Sequence, residues 1–512
     1  MMALSQSPAI TVADLLSDFI DISNCPSVSI TGLALDSRLV VAGDLFIAVK
    51  GTQTDGAQYI AQAVDKGAVA VLVEQAEVTS ECAVPVIVVP QLSEYISDIA
   101  GVFYGQPSQQ MPVTAITGTN GKTTCSQLLA QLFELLNVPS GFIGTLGYGL
   151  SGSGLSASEK NGNKAKDNQI TDTGLTTPDA ISVQRILAEL EDAGAKRIAM
   201  EVSSHSLVQR RVAGLKIDTA VFTNLTRDHL DYHGDLNSYA AAKARLFAMT
   251  GLNNAVINLD DNIGRLILAN LDPLVNGISY SIENHSADIH CDSLSIGASG
   301  IDADIVTPWG RGRLQSSLLG KFNLANLLAV IGAAGMQGFA LDKILQAAAL
   351  LTAVVGRMEL IDVSARPAVV IDYAHTPDAL EKALQALRRH CQGELWVVFG
   401  CGGDRDIGKR AEMGKVADHR ADKIIVTSDN PRNESPEKII DQVLLGISRD
   451  VFAVVDRREA IRTAIGNAQP DDVILIAGKG HEDYQILGAD RLPFSDQVEA
   501  RLALRCRQGG DQ

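Results

Sequence analysis

The sequence predicts an α/β protein of three domains, the last of them a Rossmann-like, doubly wound parallel sheet. Three observations predict it. Short apolar runs alternate with helical patterns along the chain, as strands and crossover helices do. A strand, a glycine-containing turn and a helix follow one another in "PVTAITGTNGKTTCSQLLAQLFELL", residues 112–136. The chain has 512 residues, 46% of them hydrophobic, enough for about three domains with a core each.

The first domain, residues 1–110, is a small α/β unit. It opens with an amphipathic helix capped at Thr11, with Asp14 in the capping-box position. This opening carries acids and no basic region before an apolar core, so it does not read as a secretion signal. Short β runs follow in "VSITGLALDS", "DLFIAV", "AVAVLVE" and "VPVIVV", and "YGQPSQQMP" looks like a linker. The central domain, 111–355, holds the strand–turn–helix unit and a Gly/Ser/Asn-rich stretch at 151–174 that reads as a flexible surface loop. Its further strands are "RIAMEVSS", "TAVFTNLT" and "NAVINLD", and alternating segments over about 278–318 suggest an antiparallel addition. The helix "KFNLANLLAVIGAAGMQG" leads to a boundary near Val355. The last domain, 356–512, repeats strand and helix at "AVVIDYAH", "ELWVVFG", "KIIVTSD", "VFAVVD" and "VILIAG". Ligands of such sheets sit beyond the carboxyl ends of the strands, which makes the residues just after them the candidates.

Lys plus Arg number 43 against 60 acids, a net charge of −17. Such a surface repels polyanions and argues against nucleic-acid or anionic-membrane binding as the main task. The seven cysteines (Cys25, Cys82, Cys125, Cys291, Cys391, Cys401 and Cys506) are scattered and form no C-x-x-C. That suits a reducing compartment and argues against a disulfide framework or a structural zinc. No apolar stretch approaches the ~20 residues that span a bilayer. A cytoplasmic monomer without membrane insertion is expected.

"TGTNGKTT" follows an apolar strand and opens a helix, the context of a phosphate-binding loop. Backbone N–H groups of Gly118, Thr119, Asn120, Gly121, Lys122, Thr123 and Thr124 would cradle the phosphates of ATP. Lys122 would reach the β and γ phosphates, and the Thr123 hydroxyl would bind Mg²⁺. The general pattern has glycine at the position of Ile116. Glu201 ends an apolar strand, where it is either a Mg²⁺-holding acid or an ordinary strand-end acid. "NLTRDHLDYHG" supplies Asp228, His229, Asp231 and His233; His229 is the better placed histidine, and His233 reads more readily as structural. Lys243 lies on a helix among small residues. On residues alone it is a snorkelling surface lysine, although an apolar setting would let it react as a neutral amine.

The last domain adds Arg357 in "GRMEL" and Asp372 and His375 in "DYAHTP", then "GCGGDRDIGKR", "SDNPR" and "GKGHEDYQ" at strand ends. "GCGGDRD" is not a dinucleotide fingerprint, because it lacks the G-x-G-x-x-G spacing and the later acid. Arg405, Asp429, Arg432 and Glu482 bring two positive and two negative charges to the carboxyl ends of strands in one sheet. That suits a zwitterion such as an amino acid, its carboxylate on Arg and its ammonium on an acid. A solvated charge cluster, or a surface ion pair in a turn, is the plainer alternative.

"GTNGKTT", "EVSSH", "RDHLDYHG", Lys243, "KFNLANLLA", "GRME" and "DYAHTP" together resemble the Mur ligases, ATP-dependent amide ligases of cytoplasmic peptidoglycan precursor synthesis. The resemblance covers nearly the whole chain and implies a central P-loop ATPase-like domain between a UDP-substrate-binding domain and an amino-acid-binding domain. "DNPR" is similar to the segment of members that add meso-diaminopimelate to UDP-N-acetylmuramoyl-L-alanyl-D-glutamate; members adding lysine differ there. The resemblance implies that Arg432 and Arg405 grip the distal carboxylate and Asp429 and Glu482 the distal ammonium, with Asn430, Pro431 and the Gly478 backbone nearby. It matches Leu35, Ser37, Thr52, Gln53 and Thr54 to the UDP end, and Thr176, Thr177, Ser203, Gln209 and Arg211 to the muramoyl peptide, with Leu175 where relatives can have Asn. Asn326, Arg357 and Asp372 match ATP contacts. Lys243 matches a lysine that becomes carbamylated and joins Glu201 and His229 around a second Mg²⁺, which reverses the surface reading. Folylpolyglutamate synthetase shares the architecture, and a P-loop ATPase is the rival from another class.

Overall fold

The computed structural model describes residues 10–23, 25–51, 54–75, 82–152, 170–297, 300–361 and 367–509. Thr52, Gln53 and most of the 151–174 stretch lie outside them.

Thr11 accepts a hydrogen bond from the Asp14 N–H (3.1 Å) and caps the short helix Val12–Leu16, which buries Val12, Leu15 and Leu16. Four parallel strands follow in spatial order Gly32–Ala34, Asp44–Ala48, Ala70–Val73 and Val86–Val88. The stretch read as a linker is packed structure instead. Pro107 starts the helix Pro107–Gln110, Pro107, Ser108 and Met111 are buried, and the Ser108 hydroxyl accepts from the Lys216 N–H at 3.1 Å. Proline at a first helical position and an apolar Met111 are what convert it.

The central sheet has seven strands in the order Asn276–Tyr280, Asn254–Asn258, Thr219–Phe222, Val113–Thr117, Arg197–Glu201, Ser140–Gly144 and Gly147–Leu150. All neighbours are parallel except the last pair. Both faces are covered, which is why these strands read as continuous apolar runs. The expected antiparallel addition is a separate three-stranded sheet, His290–Gly297, Gly300–Thr307 and Gly310–Ser316. The first of the alternating segments, Asn276–Tyr280, instead joins the parallel sheet as its edge. The helix Lys321–Met336 packs Leu324, Leu327, Leu328 and Ile331 against both sheets in one core with Val256 and Ile305.

The last sheet runs Glu359–Leu360, Ala368–Asp372, Val473–Ala477, Leu395–Phe399, Lys423–Thr427 and Phe452–Val454. Only Glu359–Leu360 is antiparallel. Apolar clusters cover both its faces, as a doubly wound sheet requires. The hairpin Tyr484–Leu487/Asp490–Pro493 bridges back to Arg432 through Leu487. Among the described residues no helix is long and apolar enough to cross a membrane.

Candidate active site

The strand Val113–Thr117 is buried throughout and delivers the chain into the loop before the helix Lys122–Leu135. Gly118 (φ +152) and Gly121 (φ +87) make the turn possible. A β-carbon at Gly118 would sit 1.9 Å from Thr223 Oγ1, and one at Gly121 2.7 Å from Asn326 Oδ1. The Lys122 ammonium folds back onto the carbonyls of Gly118 and Thr119, both at 2.9 Å. Burial pushes its pKa down, while the charges of Glu201 and Asp228 oppose the shift. The Thr123 hydroxyl donates to Glu201 Oε2 (2.9 Å), and Glu201, fully buried, also accepts from Thr145 N–H (2.8 Å) and Thr145 Oγ1 (3.1 Å). An acid at the end of one strand thus faces the hydroxyl that opens the helix after its neighbour.

Lys243 is 1% exposed, so the surface reading drawn from residues alone fails. Its Nζ donates to Gly118 O (2.8 Å) and lies 4.5 Å from the Tyr239 ring centroid. Burial, then the Lys122 charge, push its pKa well below the ordinary lysine value against the pull of Asp228. Tyr239 OH lies 3.2 Å from Thr119 Oγ1 and its ring 6.2 Å from that of His229, which links the histidine segment to the loop. His229 (φ +53) has Nε2 3.4 Å from Asp228 Oδ2, and burial lowers its pKa although Asp228 opposes. His233 bonds Ser204 Oγ at 2.9 Å, in keeping with a structural part.

Two contacts cross from the last domain to this loop. Arg357 Nη2 donates to Thr123 Oγ1 at 3.2 Å, and Asn120 Nδ2 donates to Asp378 Oδ2 at 3.2 Å. The Arg357 guanidinium also lies 4.2 Å from the Tyr373 ring centroid. Asp372 accepts from the N–H groups of Met358 and Ala374, both at 2.8 Å, and so fixes the loop that carries Arg357. Asn326 Nδ2 donates to Asn323 Oδ1 at 3.0 Å. The residues expected at ATP therefore gather around one loop.

Of the residues matched to the UDP-linked substrate, two groups form. In the first domain Ser37 donates to Gln62 Oε1 (2.7 Å), with Leu35 beside it in sequence and Thr54 exposed. In the second, Thr176 Oγ1 lies 3.0 Å from Thr145 Oγ1, Thr177 donates to the Glu201 carbonyl (2.9 Å), and the Ser203 N–H donates to Thr177 Oγ1 (3.1 Å). Arg211 donates to Thr177 O and to Gln209 Oε1, both at 2.6 Å. This second group adjoins the buried acid.

At the far sheet, Asp429, Asn430 and Arg432 follow the strand Lys423–Thr427, and Gly478 and Glu482 follow Val473–Ala477. Arg432 is held at φ +53, a strained region for a side chain of its size, by Arg432 N–H to Ile486 O (3.1 Å), Gly488 N–H to Arg432 O (2.8 Å) and Nη1 to Gly403 O (2.8 Å). A β-carbon at Gly478 (φ +116) would lie 2.6 Å from Asp429 Oδ2, so glycine keeps that carboxylate open. Among the described residues no side chain donates to the Asp429 carboxylate. Arg405 lies on the exposed loop beside Arg432: a β-carbon at Gly402 would be 2.9 Å from Arg432 Nη1 and 3.8 Å from Arg405 Cγ.

The balance of two positive and two negative charges needs correction. Lys479, fully buried, donates to Glu482 Oε2 (2.9 Å) and Asn430 Oδ1 (3.0 Å), and Asn430 Nδ2 donates to Glu482 Oε2 (2.8 Å). Both contacts fall on Oε2, and no side chain among the described residues donates to Glu482 Oε1. Beneath, the Arg457–Asp496 pair is fully buried on both sides and ties Ser428 O (3.3 Å) to Ala477 O (2.9 Å), the ends of both strands. Sequence reasoning singled out neither cation. The signal for Lys479 was its place directly after Gly478 at a strand end; Arg457 and Asp496 are 39 residues apart and carry no local signal.

Comparison with known proteins gives a consistent picture. Family models match in three blocks: Mur ligase family, catalytic domain, over residues 29–104; Mur ligase middle domain over 116–334; and Mur ligase, glutamate ligase domain, over 356–480. A UDP-N-acetylmuramoyl-L-alanyl-D-glutamate--2,6-diaminopimelate ligase of Pseudomonas putida is 48% identical over 483 residues, 92% of this chain and 94% of its own. One of the same name from Coxiella burnetii is 45% identical over 500 residues, 96% of this chain and 99% of its own. A solved structure of a ligase of that name superposes with a TM-score of 0.71 at 37% identity, covering 98% of this chain and 99% of that one.

Proposed function

The chain belongs to the Mur ligase family, and on that premise we propose how its residues carry out the reaction. It is an ATP-dependent acid–amino-acid ligase that adds diaminopimelate in peptidoglycan precursor synthesis. The amino acid of our reading is meso-diaminopimelate, and the acceptor is the D-glutamyl γ-carboxylate of UDP-N-acetylmuramoyl-L-alanyl-D-glutamate. Nucleotide-linked, ATP-consuming chemistry supports a cytoplasmic location, and we take the enzyme to act as a monomer. Our domain division is 1–110 for the UDP end, 111–355 for ATP and 356–512 for the amino acid.

A carboxylate is a poor electrophile because oxide is a poor leaving group. Transfer of the γ-phosphoryl group to the D-glutamyl carboxylate gives an acyl phosphate. The neutral diaminopimelate amine attacks its carbonyl carbon, inorganic phosphate leaves from the tetrahedral adduct with the bond electrons, and the nitrogen gives up a proton as the amide forms. Lys122 follows the charge of the transferring phosphoryl group, and the glycine-made turn lets backbone N–H groups close on it. Thr123 and Glu201, two buried oxygen donors 2.9 Å apart, suit a hard cation such as Mg²⁺, which when bound supplies charge neutralisation at the phosphates. Lys243 makes no ion pair within 4 Å among the described residues and is pushed, against the pull of Asp228, toward the neutral amine, the form that adds CO₂ and releases a proton. The resulting carbamate would stand with His229 and Glu201 as ligand for a second ion.

The observation that most supports the choice of amino acid is the pocket at Asp429–Arg432. A strained, triply tethered Arg432 and an open Asp429 carboxylate suit the distal carboxylate and ammonium of a doubly zwitterionic amino acid. Lysine lacks the distal carboxylate and would leave the guanidinium unmatched. Arg357 and Asp378, reaching the loop from the last domain, support closure of that domain over ATP before attack. Phosphate release measured with ATP alone, and with the UDP-muramoyl dipeptide plus each candidate amino acid, tests the reading. Release that needs both the dipeptide and diaminopimelate supports it; release with ATP alone, or with a folate acceptor, contradicts it.

A further inference from the structure

A second cluster of metal-ligating side chains lies in the central domain, beyond the edge strand Asn276–Tyr280 and outside the site above. His285 sits in the turn after that strand, and His290 and Asp292 open the strand His290–Gly297. Being two residues apart, His290 and Asp292 share the outer face, while Ile289 (0%) and Cys291 (5%) face the core. The strand register slips between Cys291 and Ser293, which leaves Asp292 as the extra residue of a bulge, a device that re-aims a side chain.

The ligand atoms converge. Asp292 Oδ1 is 3.5 Å from His290 Nε2 and 3.9 Å from His285 Nδ1, and all three atoms lie within 4.8 Å of one another. A tetrahedral ion with bonds of about 2.0–2.1 Å needs ligand atoms about 3.4 Å apart, so a small rotation of the exposed His285 ring closes the set. The supporting contacts are in place. His290 Nδ1 lies 2.8 Å from Ala287 O, and the neutral tautomer that donates there presents Nε2 as the ligating nitrogen. Arg311 Nη1 takes Asp292 Oδ2 at 2.7 Å and leaves Oδ1 toward the imidazoles. The turn is pinned by Ile282 N–H to Asp260 Oδ2 (2.9 Å), Asn284 N–H to Ser281 Oγ (2.7 Å) and Lys321 to Glu283 (2.9 Å).

We propose that His285, His290 and Asp292 bind one late first-row divalent ion of the zinc class, with water in the remaining position. Two imidazoles favour such an ion over Mg²⁺, which prefers an all-oxygen shell. Because Glu283 in the same turn pairs with Lys321, the first residue of the helix that carries Asn326, the ion clips the turn beside the start of that helix.

The test uses the full-length enzyme in excess Mg²⁺, titrated with Zn²⁺ and, for its absorption bands, Co²⁺. The parent is expected to bind one ion more per chain than the His285→Ala/His290→Ala double variant. Zinc affinity at this site should fall by at least on the order of 100-fold, since even an outer partner is worth about 10–100-fold. Asp292→Asn, which keeps the shape, should weaken binding as well, and zinc should raise the thermal midpoint of the parent only. Ligase turnover of the double variant in Mg²⁺ should match the parent. Equal zinc stoichiometry and affinity in parent and variants, or no zinc bound by the parent in excess Mg²⁺, overturns the proposal.

Discussion

Lys122 and Lys243 donate to one carbonyl oxygen, that of Gly118, at 2.9 and 2.8 Å. Two ammonium groups on one acceptor repel, and burial pushes the pKa of each below the ordinary lysine value, with the Lys122 charge adding to the push on Lys243. The arrangement favours a neutral Lys243, and converting that amine to a carbamate would turn the repulsion into attraction. Lys243→Ala should therefore inactivate ligation, and short carboxylates should restore part of it by standing in for the carbamate near the metal. Unchanged turnover in Lys243→Ala would remove the residue from the mechanism.

Lys122→Ala should abolish ligation and leave the fold intact. Among the described residues the side chain bonds only the carbonyls of its own loop, so its loss removes charge from the proposed phosphoryl path and little packing. Circular dichroism matched to the parent, together with turnover below detection, is the expected pair of results. Near-normal turnover would mean that the loop does not hold the transferring phosphate.

Asp496→Ala should destabilise the last domain by about 3–5 kcal/mol, because it leaves the fully buried Arg457 guanidinium unpaired. Since Arg457 also ties Ser428 O to Ala477 O, the same change should raise KM for diaminopimelate more than KM for ATP. Urea denaturation and steady-state kinetics read the two effects separately.

Acid should weaken the fold through His375 and His481. Burial, with Lys409 adding to it, lowers His375 to about 4; burial, with Arg357 adding, lowers His481 to about 3. Both folded values lie below the ordinary 6.5, so between these limits the unfolded chain binds protons that the folded one does not. Their contribution is complete above about pH 6.5 and is lost as pH falls, with a limiting slope of about 1.4 kcal/mol per pH unit for each histidine. Urea midpoints at neutral and mildly acid pH should show that slope, and His375→Asn/His481→Asn should flatten it.

What was legible in the sequence was local. The strand–turn–helix loop at 117–124, the strand-end acids and "SDNPR" are short segments whose position after an apolar run already implies where their side chains stand. Lys243 was not legible from residues alone, because small neighbours on a helix fit a surface face as well as the tight approach to Gly118 that the fold makes. Lys479 and the Arg457–Asp496 pair escaped for a related reason: a buried cation is recognisable only by its partner, and Asp496 lies 39 residues from Arg457. The linker reading of "YGQPSQQMP" failed because composition does not register that Met111 joins the core of the central domain and that Ser108 accepts a hydrogen bond from Lys216 of that domain.

The proposed selection of diaminopimelate turns on Arg432, and steady-state kinetics of Arg432→Ala with the three substrates varied in turn is the measurement that tests it. Affinity for ATP and for the UDP-muramoyl dipeptide should be kept, since the contacts proposed for them rest on the other domains and on Arg357 and Asp372. Apparent affinity for meso-diaminopimelate should fall about 100-fold or more, the effect of losing a buried charge-assisted contact worth about 2–5 kcal/mol. Discrimination against lysine should shrink with it, because the group that penalises a missing carboxylate is gone. A variant that loses ATP affinity instead, or keeps its full preference for diaminopimelate, would leave Asp429–Arg432 a structural turn with no part in selecting the amino acid.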